Sequence, residues 1–240
     1  MLGILAKMLT TFYSKPSRIK GRRMKNQNPR MNMITQQLRT GNVQDNNILS
    51  LYDELPRDAF VPENLHSFAY SDLQLPLPHN ERMMTPLEEA TILQALALKG
   101  HENILEIGTG SGFFTALLSR RCQHVTSIDY YADFTENARK KLTQHHCHNI
   151  TLHTGNAYHG WLDKAPFDVV VYTGALHALE DMHRLQVLPG GKLFAIVGEK
   201  PCMQGQLHHL DHQEVWHKSV LFETVLPSLI NSVHPKVFTF

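Results

Sequence analysis

Cysteine is scarce in this sequence, and its few copies are not spaced as a metal site requires. The chain has three cysteines, which stand far apart and form no C-x-x-C pair: Cys122, Cys147 and Cys202. Three cysteines cannot all be bridged, so the pattern favours neither a disulfide framework nor a cysteine zinc site. We therefore expect no bound metal and a reducing, cytoplasmic setting.

Long apolar runs are also missing. A membrane-spanning helix needs about 18 or more consecutive apolar residues, and charges at Lys7, Glu180 and Glu223 interrupt the best candidates. With 240 residues, of which 42% are hydrophobic, the chain is long enough for one sizeable core. These properties disfavour a transmembrane, disordered or fibrous protein and predict a globular domain.

The balanced charge, 23 Lys and Arg against 22 Asp and Glu, hides a basic amino-terminal segment. Residues 1–30 contain eight of the basic residues and no acidic one, which leaves 15 basic against 22 acidic residues, or −7, for the remainder. Such a segment is compatible with a signal or transit peptide, a membrane-surface helix or a nucleic-acid arm. We expect residues 1–30 to be a disordered extension without a stable nucleic-acid partner, and residues 31–240 to form a single, monomeric domain.

Short apolar segments alternate with helical patterns along residues 101–240. Strands are predicted at 104–107, 124–128, 149–153, 167–172 and 192–197, and helices at 113–121, 132–144 and 178–188. This alternation is typical of a parallel sheet with helices on its faces. Two further strands, at 206–212 and 215–226, have no helix between them and should pair antiparallel at one edge. The predicted fold is therefore α/β, with a doubly wound, mostly parallel, seven-stranded sheet.

The preceding residues, 31–100, are helical in places and rich in proline. Helical spacing covers 34–39 and 46–54, with Asp45 placed as an N-cap for the second helix. Thr85 and Pro86 begin a third helix that continues to 98 and ends at Gly100. The prolines between the second and third helices predict a rigid, irregular segment that covers one edge of the domain.

Glycines follow the first predicted strand, in the segment Glu106-Ile107-Gly108-Thr109-Gly110-Ser111-Gly112. Ligands of such sheets bind beyond the carboxyl ends of the strands, where glycines let backbone N–H groups approach them. A dinucleotide site has the pattern G-x-G-x-x-G, whereas this segment has G-x-G-x-G preceded by an acid. The arrangement suits a ligand with a cationic head, such as S-adenosylmethionine.

Two further strand ends carry polar groups suited to the same cofactor. Asp129 lies 21 residues after Gly108, where its carboxylate can accept both ribose hydroxyls. Asn156 can accept the adenine amino hydrogen on its side-chain oxygen, while the Ala157 N–H faces a ring nitrogen. The predicted cofactor-binding residues are Glu106, Gly108, Thr109, Gly110, Ser111, Gly112, Asp129, Asn156 and Ala157.

From about residue 33 to 238, the chain resembles the protein-L-isoaspartate (D-aspartate) O-methyltransferases. The shared segments most particular to this family are Arg57-x-x-Phe60-Val61-Pro62, Ala69-Tyr70-x-Asp72, Gly160-Trp161 and Leu221-Phe222-x-x-Val225-x-Pro227-x-Leu229. The resemblance implies a class I, Rossmann-like methyltransferase that uses S-adenosylmethionine, with residues 31–100 as a helical lid and substrate loop and 101–240 as the core. It also implies methylation of the carboxyl group of L-isoaspartyl (D-aspartyl) residues in damaged proteins or peptides.

One segment departs from the family pattern. The family typically has Gly-Gln-Thr-Ile-Ser-Gln-Pro, with the serine hydroxyl beside the substrate carboxyl, whereas this chain has Asn80-Glu81-Arg82-Met83-Met84-Thr85-Pro86. Met84 thus stands where the serine would be, and Thr85 offers an adjacent hydroxyl. Arg82 can hold a carboxylate bidentately, or it is a solvated loop cation. The predicted substrate-site residues are therefore Arg82, Met84 and Thr85.

Three functions remain open on the sequence. The first is methylation of isoaspartyl carboxyl groups, as the resemblance implies. The second keeps the cofactor but has a small-molecule acceptor, because Met83 and Met84 make the pocket more apolar than the family pattern. The third is a cofactor-binding accessory protein without catalysis, attached to a membrane or nucleic acid through residues 1–30.

Overall fold

A seven-stranded sheet forms the centre of the computed structural model, which describes residues 28–232. The strands are β1 (Asn103–Ile107), β2 (His124–Asp129), β3 (Ile150–Thr154), β4 (Phe167–Leu176), β5 (Val187–Glu199), β6 (Cys202–Leu210) and β7 (Trp216–Thr224). Their order across the sheet is β3-β2-β1-β4-β5-β6-β7. Strands β1 to β5 are parallel, and β6 and β7 extend the sheet antiparallel at one edge. The predicted sheet is therefore confirmed.

Short helices flank the sheet. They are α1 (Pro29–Asn32), α2 (Asn46–Glu54), α3 (Pro86–Leu96), α4 (Phe113–Ser119), α5 (Ala132–Gln144) and α6 (Asp181–Arg184), and a π-helical segment, Met33–Leu38, continues α1. Positions 1–27 of the predicted basic extension lie outside the described residues. Asn28 caps α1, because its side chain accepts the N–H of Arg30 at 3.1 Å. Helix α3 ends before the predicted Gly100, because Ala97 takes a left-handed conformation with φ of 49°.

The predicted helix at 178–188 is wrong in extent. Only Asp181–Arg184 is helical, and β5 begins already at Val187, which pairs with Phe167 of β4. The Pro189-Gly190-Gly191 segment is therefore an irregular part of the strand rather than the turn that precedes it, with Gly190 at φ of 84°. Strand pairing overrides the helical spacing of the preceding residues.

Alternating side chains of the central strands fill two separate cores. Val169 and Val171 of β4 belong to a large core that includes buried residues of α2, α3 and α4, whereas Val170 belongs to a smaller core on the opposite face. Both faces of a parallel sheet must be covered, which explains why the strand is apolar at every position of this run. Residues 33–98 therefore share one core with the sheet. Between residues 28 and 232, no helix is long and apolar enough to cross a membrane.

The N-cap of α2 offers a first test of the fold. Asp45 accepts the N–H of Asn47 at 2.8 Å, so Asp45→Ala should lower the free energy of unfolding by about 1 kcal/mol, the typical contribution of an N-cap. Urea denaturation measures this change. Asp53→Ala, which removes an exposed acid from the same helix, is the matched control and should have little effect. Equal losses in both variants would contradict the assigned cap.

Candidate active site

A cavity opens at the carboxyl ends of β1, β2 and β4, where ligands of doubly wound sheets bind. It has an empty volume of about 840 Å³, part of which is open to solvent. Nine predicted site residues line it: Arg82, Met84, Gly108, Thr109, Gly110, Ser111, Asp129, Asn156 and Ala157. The described residues that line the cavity do not include Thr85, Glu106 or Gly112.

The turn after β1 depends on glycine at position 108. Gly108 has φ of +102°, and a Cβ atom there would lie 2.2 Å from the Oγ1 atom of Thr173. The Thr173 hydroxyl occupies that space because it bonds to the Gly108 carbonyl oxygen, at 2.6 Å. Thr173 is not among the residues predicted from the sequence, and its signal is its place near the carboxyl end of β4, directly beside β1.

Asp129 joins this turn to the one after β2. Its Oδ2 atom accepts the N–H of Gly110 at 2.8 Å, and its Oδ1 atom accepts the N–H of Tyr131 at 3.0 Å. Burial raises the pKa of Asp129 above its usual value, against the opposing effect of these two N–H groups. A carboxylate has about four acceptor positions, so two remain for hydroxyl groups of a ligand.

The turn after β3 brings Asn156 and Ala157 to the same cavity. The Oδ1 atom of Asn156 accepts the N–H of Tyr158 at 3.0 Å, which closes a local turn and fixes the side chain. The amide oxygen retains a second lone pair for an adenine amino group. The predicted contacts of Asn156 and Ala157 with adenine stay predictions.

Glu106 lies behind the cavity wall and is completely buried. Its Oε2 atom accepts the hydroxyl groups of Thr115 at 2.5 Å and Ser127 at 2.6 Å, and Ser127 in turn bonds to the Thr109 hydroxyl at 2.6 Å. Burial raises the pKa of Glu106 to about 8, although both hydroxyl bonds oppose this shift. Glu106 therefore supports the glycine turn from below as a neutral carboxyl group, and its predicted contact with the cofactor stays a prediction.

Glu81 and Tyr131 line the cavity near Asp129, and His79 packs against Tyr131. The His79 ring stacks on Tyr131 with centroids 3.8 Å apart, and its Nε2 atom lies 3.1 Å from Asp133 Oδ1. Glu81 lines the cavity, and burial together with the Asp129 charge raises its pKa to about 6. Glu81 is not among the predicted site residues, because the sequence alone does not reveal that it lies near another carboxylate.

Another part of the cavity wall, which includes Met84 and Glu89, is supported by Arg57, whose side chain is completely buried. Its guanidinium group donates to the carbonyl oxygens of Ala69 at 2.9 Å and Met84 at 2.6 Å, and its Nε atom lies 3.3 Å from Glu89 Oε2. Burial raises the pKa of Glu89 to about 7, although Arg57 opposes the shift. The Met84 backbone is thereby fixed, and its side chain lines the cavity at 4% exposure.

Glu89 is a further cavity residue that the sequence analysis did not identify. Its signal is an acid among the apolar core positions of α3, where Ala90 and Leu93 are also buried. An acid three residues after Pro86 also suits the first turn of a helix, so the sequence alone does not mark Glu89 as a cavity residue.

Thr85 and Arg82 occupy different environments. The Thr85 Oγ1 atom accepts the N–H of Glu88 at 3.2 Å, and the Thr85 N–H donates to Glu88 Oε2 at 2.7 Å, which completes a capping box. Arg82 is exposed at the cavity mouth and has no carboxylate partner among residues 28–232. A direct role of either side chain toward substrate stays a prediction. Within the same described range, no group of three or more potential metal ligands is present.

Comparisons with known proteins agree with this geometry. The family described as Protein-L-isoaspartate(D-aspartate) O-methyltransferase (PCMT) matches residues 27–225. The protein-L-isoaspartate O-methyltransferase of Aliivibrio fischeri is 34% identical over 173 residues, which are 72% of this chain and 83% of that protein. That of Syntrophus aciditrophicus is 36% identical over 172 residues, 72% of this chain and 79% of that protein.

Two solved structures share the fold. One, a protein-L-isoaspartate O-methyltransferase, has a TM-score of 0.71 at 22% identity, and the matched region covers 85% of this chain and 66% of that chain. The other, a Plasmodium falciparum protein assigned as a protein-L-isoaspartate O-methyltransferase and solved with S-adenosyl-L-homocysteine, has a TM-score of 0.70 at 13% identity. The matched region covers 85% of this chain and 99% of that chain.

Removing the Asp129 carboxylate should weaken cofactor binding. We expect Asp129→Ala to reduce the affinity for S-adenosylhomocysteine by about 1.5–3 kcal/mol, the contribution of hydrogen bonds to a charged group. Isothermal titration calorimetry measures the change. Glu136→Ala, which removes an exposed acid from α5, should bind as the wild type does. Wild-type affinity in Asp129→Ala would refute the assigned ribose site.

The buried Glu106 predicts a specific pH dependence of stability. Because its pKa rises from 4.5 to about 8 on folding, the folded chain keeps a proton that the unfolded chain loses, and stability falls as pH rises through this window. We expect Glu106→Gln to gain stability relative to the wild type between pH 5 and pH 8.5, as measured by urea denaturation. A difference that does not change with pH would contradict a neutral Glu106.

Proposed function

The chain belongs to the protein-L-isoaspartate (D-aspartate) O-methyltransferase family, and on this premise we propose that it methylates the carboxyl group of L-isoaspartyl residues in damaged proteins or peptides. The methyl donor is S-adenosylmethionine. The observation that carries the proposal is one cavity whose lining combines two different sets of residues. Asp129 and the glycine turn form one set, and Met83, Met84 and Glu89 form the other.

The residues of the first set fit this cofactor. Gly108 and Gly110 have no side chains of their own, so the backbone N–H groups of the turn can approach a ligand closely. Asp129 offers acceptor positions for ribose hydroxyls, and Asn156 and Ala157 lie where an adenine ring would follow. S-adenosylmethionine supplies an electrophilic methyl group on a sulfonium ion when bound there.

Methyl transfer to a carboxylate makes modest chemical demands on the protein. The carboxylate already carries its charge, and it attacks the methyl carbon in line with the departing sulfur, so no strong base is needed. The chain must hold the carboxylate, align it and exclude water. Met83 and Met84, both 4% exposed, form the apolar wall that keeps water away.

The lid assignment is part of the same proposal. We propose that residues 31–100 close over the cofactor and acceptor on a core formed by 101–240. Support comes from residues 81–84, which line the cavity, and from Lys141 Nζ, which donates to the Phe60 carbonyl oxygen at 2.8 Å. A monomer in the cytoplasm completes this proposal, and the three free thiols fit a reducing compartment.

A small-molecule acceptor is the second candidate function. It is favoured by the apolar Met83 and Met84 walls, which offer few polar groups to a peptide backbone. The accessory-protein alternative depends on residues 1–30, nearly all of which lie outside the described range.

An assay with labelled S-adenosylmethionine and an isoaspartyl peptide, beside the same peptide with normal aspartate, separates these functions. Only methylation of isoaspartyl residues requires turnover that depends on the isoaspartyl residue.

The Met84 side chain distinguishes the two enzymatic functions. For an isoaspartyl acceptor, Met84→Ser should raise kcat/KM, because it adds a hydroxyl donor beside the acceptor carboxylate. For an apolar small molecule, the same change should lower kcat/KM. Met84→Leu, which keeps the apolar volume, is the matched control and should change either rate little.

Both Met84 variants must be compared at equal folded fraction, since truncating a buried methionine costs about 2–5 kcal/mol.

A third variant, Thr85→Val, tests the predicted role of the neighbouring hydroxyl, with about 0.5–2 kcal/mol of stability lost through the cap. Absence of isoaspartyl-dependent turnover in the wild type, while cofactor binds, would eliminate the proposed function.

A further inference from the structure

The cavity wall that includes Met84 contains a buried carboxyl group that neither the cofactor site nor the methyl transfer described above uses. Glu89 is 2% exposed and lines the cavity together with Met83 and Met84. Its Oε2 atom is held by Arg57 at 3.3 Å, and across residues 28–232 no protein donor reaches its Oε1 atom.

The position of Glu89 is fixed by its neighbours. The Arg57 guanidinium bonds both to Glu89 and to the Met84 carbonyl oxygen, so the carboxyl group and the Met84 backbone are neighbours on one rigid support. The same guanidinium lies 5.5 Å from the centroid of the Phe113 ring, which closes its other side. A side chain held in this way is preorganised for contact with a ligand.

We propose that Glu89 donates a hydrogen bond from its protonated Oε1 atom to the carboxylate of the methyl acceptor and so aligns that carboxylate for transfer. This inference rests on the proposed function, because it requires an anionic acceptor. The donated bond binds one carboxylate oxygen, and the other oxygen attacks the methyl carbon, so Glu89 keeps its proton throughout the reaction.

The charges around Glu89 allow this protonated form. Burial is the largest influence and raises its pKa, Glu88 and Asp72 raise it further, and Arg57 lowers it, with a result of about 7. Glu106, on β1, also interacts with Glu89, but burial keeps Glu106 neutral up to about pH 8. Tyr52, on α2, is a buried phenol whose pKa lies well above its usual value, so it adds no charge.

The proposal predicts the direction of the pH profile. Because the protonated carboxyl group is the active form, kcat/KM for an isoaspartyl peptide at saturating cofactor should fall as pH rises through about 7. In Glu89→Gln, the amide N–H₂ donates at every pH, so the fall near pH 7 should disappear while activity is retained. The Gln oxygen can still accept from Arg57, which preserves the buried pair.

A variant without a donor completes the series. Glu89→Leu should lower kcat/KM by about 10- to 150-fold below pH 7, the effect of losing one hydrogen bond to a charged group, and its difference from the wild type should shrink as pH rises above 7. Because this change leaves Arg57 without its carboxylate partner, the folded fraction of the variant must be measured by circular dichroism. Glu81→Gln is the matched control: it removes another carboxyl group with a raised pKa from the cavity and should retain the fall near pH 7.

Binding supplies a measurement independent of turnover and of the stability of the Leu variant. When the acceptor carboxylate accepts the Glu89 proton in a hydrogen bond, the protonated form is favoured. Binding of the isoaspartyl peptide to the protein loaded with S-adenosylhomocysteine at pH 8 should therefore take up a proton. Calorimetry in buffers of different ionisation enthalpy should detect this uptake in the wild type and in Glu81→Gln, and not in Glu89→Gln.

The outcomes separate this inference from the proposed function. If Glu89→Gln turns over the isoaspartyl peptide with the pH profile of the wild type, and peptide binding to the wild type takes up no proton, the role of Glu89 is overturned and the function stays intact. Turnover that rises with pH and is abolished in Glu89→Gln assigns Glu89 as a base for a neutral acceptor and overturns the inference. Absence of isoaspartyl-dependent turnover in the wild type overturns both. Activity retained in Glu89→Gln with a flat profile supports the proposal.

Discussion

The buried guanidinium group of Arg57 joins parts of the chain that are distant in sequence. It bonds to the carbonyl oxygens of Ala69 and Met84, pairs with Glu89 of α3 and lies against the Phe113 ring of α4. A buried charge without a partner costs several kcal/mol, so the oxygen atoms that surround the Arg57 guanidinium contribute to the stability of the fold. The Met84 backbone is therefore held by the Arg57 side chain as well as by hydrogen bonds within its own segment, such as the one from the Met83 N–H to the Leu75 carbonyl oxygen at 2.8 Å.

The two sets of cavity residues use carboxyl groups differently. Asp129 binds the backbone of two turns and offers its remaining acceptor positions to a ligand, whereas Glu89 and Glu106 are buried where the neutral form is favoured. Asp129 thus suits the hydroxyl groups of a cofactor, whereas a neutral Glu89 adds no negative charge beside an anionic acceptor. Methyl transfer then neutralises both ligands, and the protein needs to change no protonation state.

The elements that local pattern determines were predictable from the sequence. Short-range rules of periodicity and capping predict three features: the end of a strand at Asp129, the Asp45 cap and the start of a helix at Thr85-Pro86. The structure contains all three. The helix at 178–188 was wrong because the pairing of Val187 with Phe167 depends on a distant strand. The Arg57–Glu89 pair joins residues 32 positions apart, and no local pattern predicts which buried acid meets which buried base.

A crystal structure of the protein with S-adenosylhomocysteine and an isoaspartyl peptide would show directly whether one cavity aligns both ligands. We expect the ribose hydroxyls on Asp129 and the peptide carboxylate between Met84 and Glu89, within hydrogen-bond distance of Glu89 Oε1. A ribose bound away from Asp129, or a peptide carboxylate bound elsewhere on the protein, would contradict this expectation.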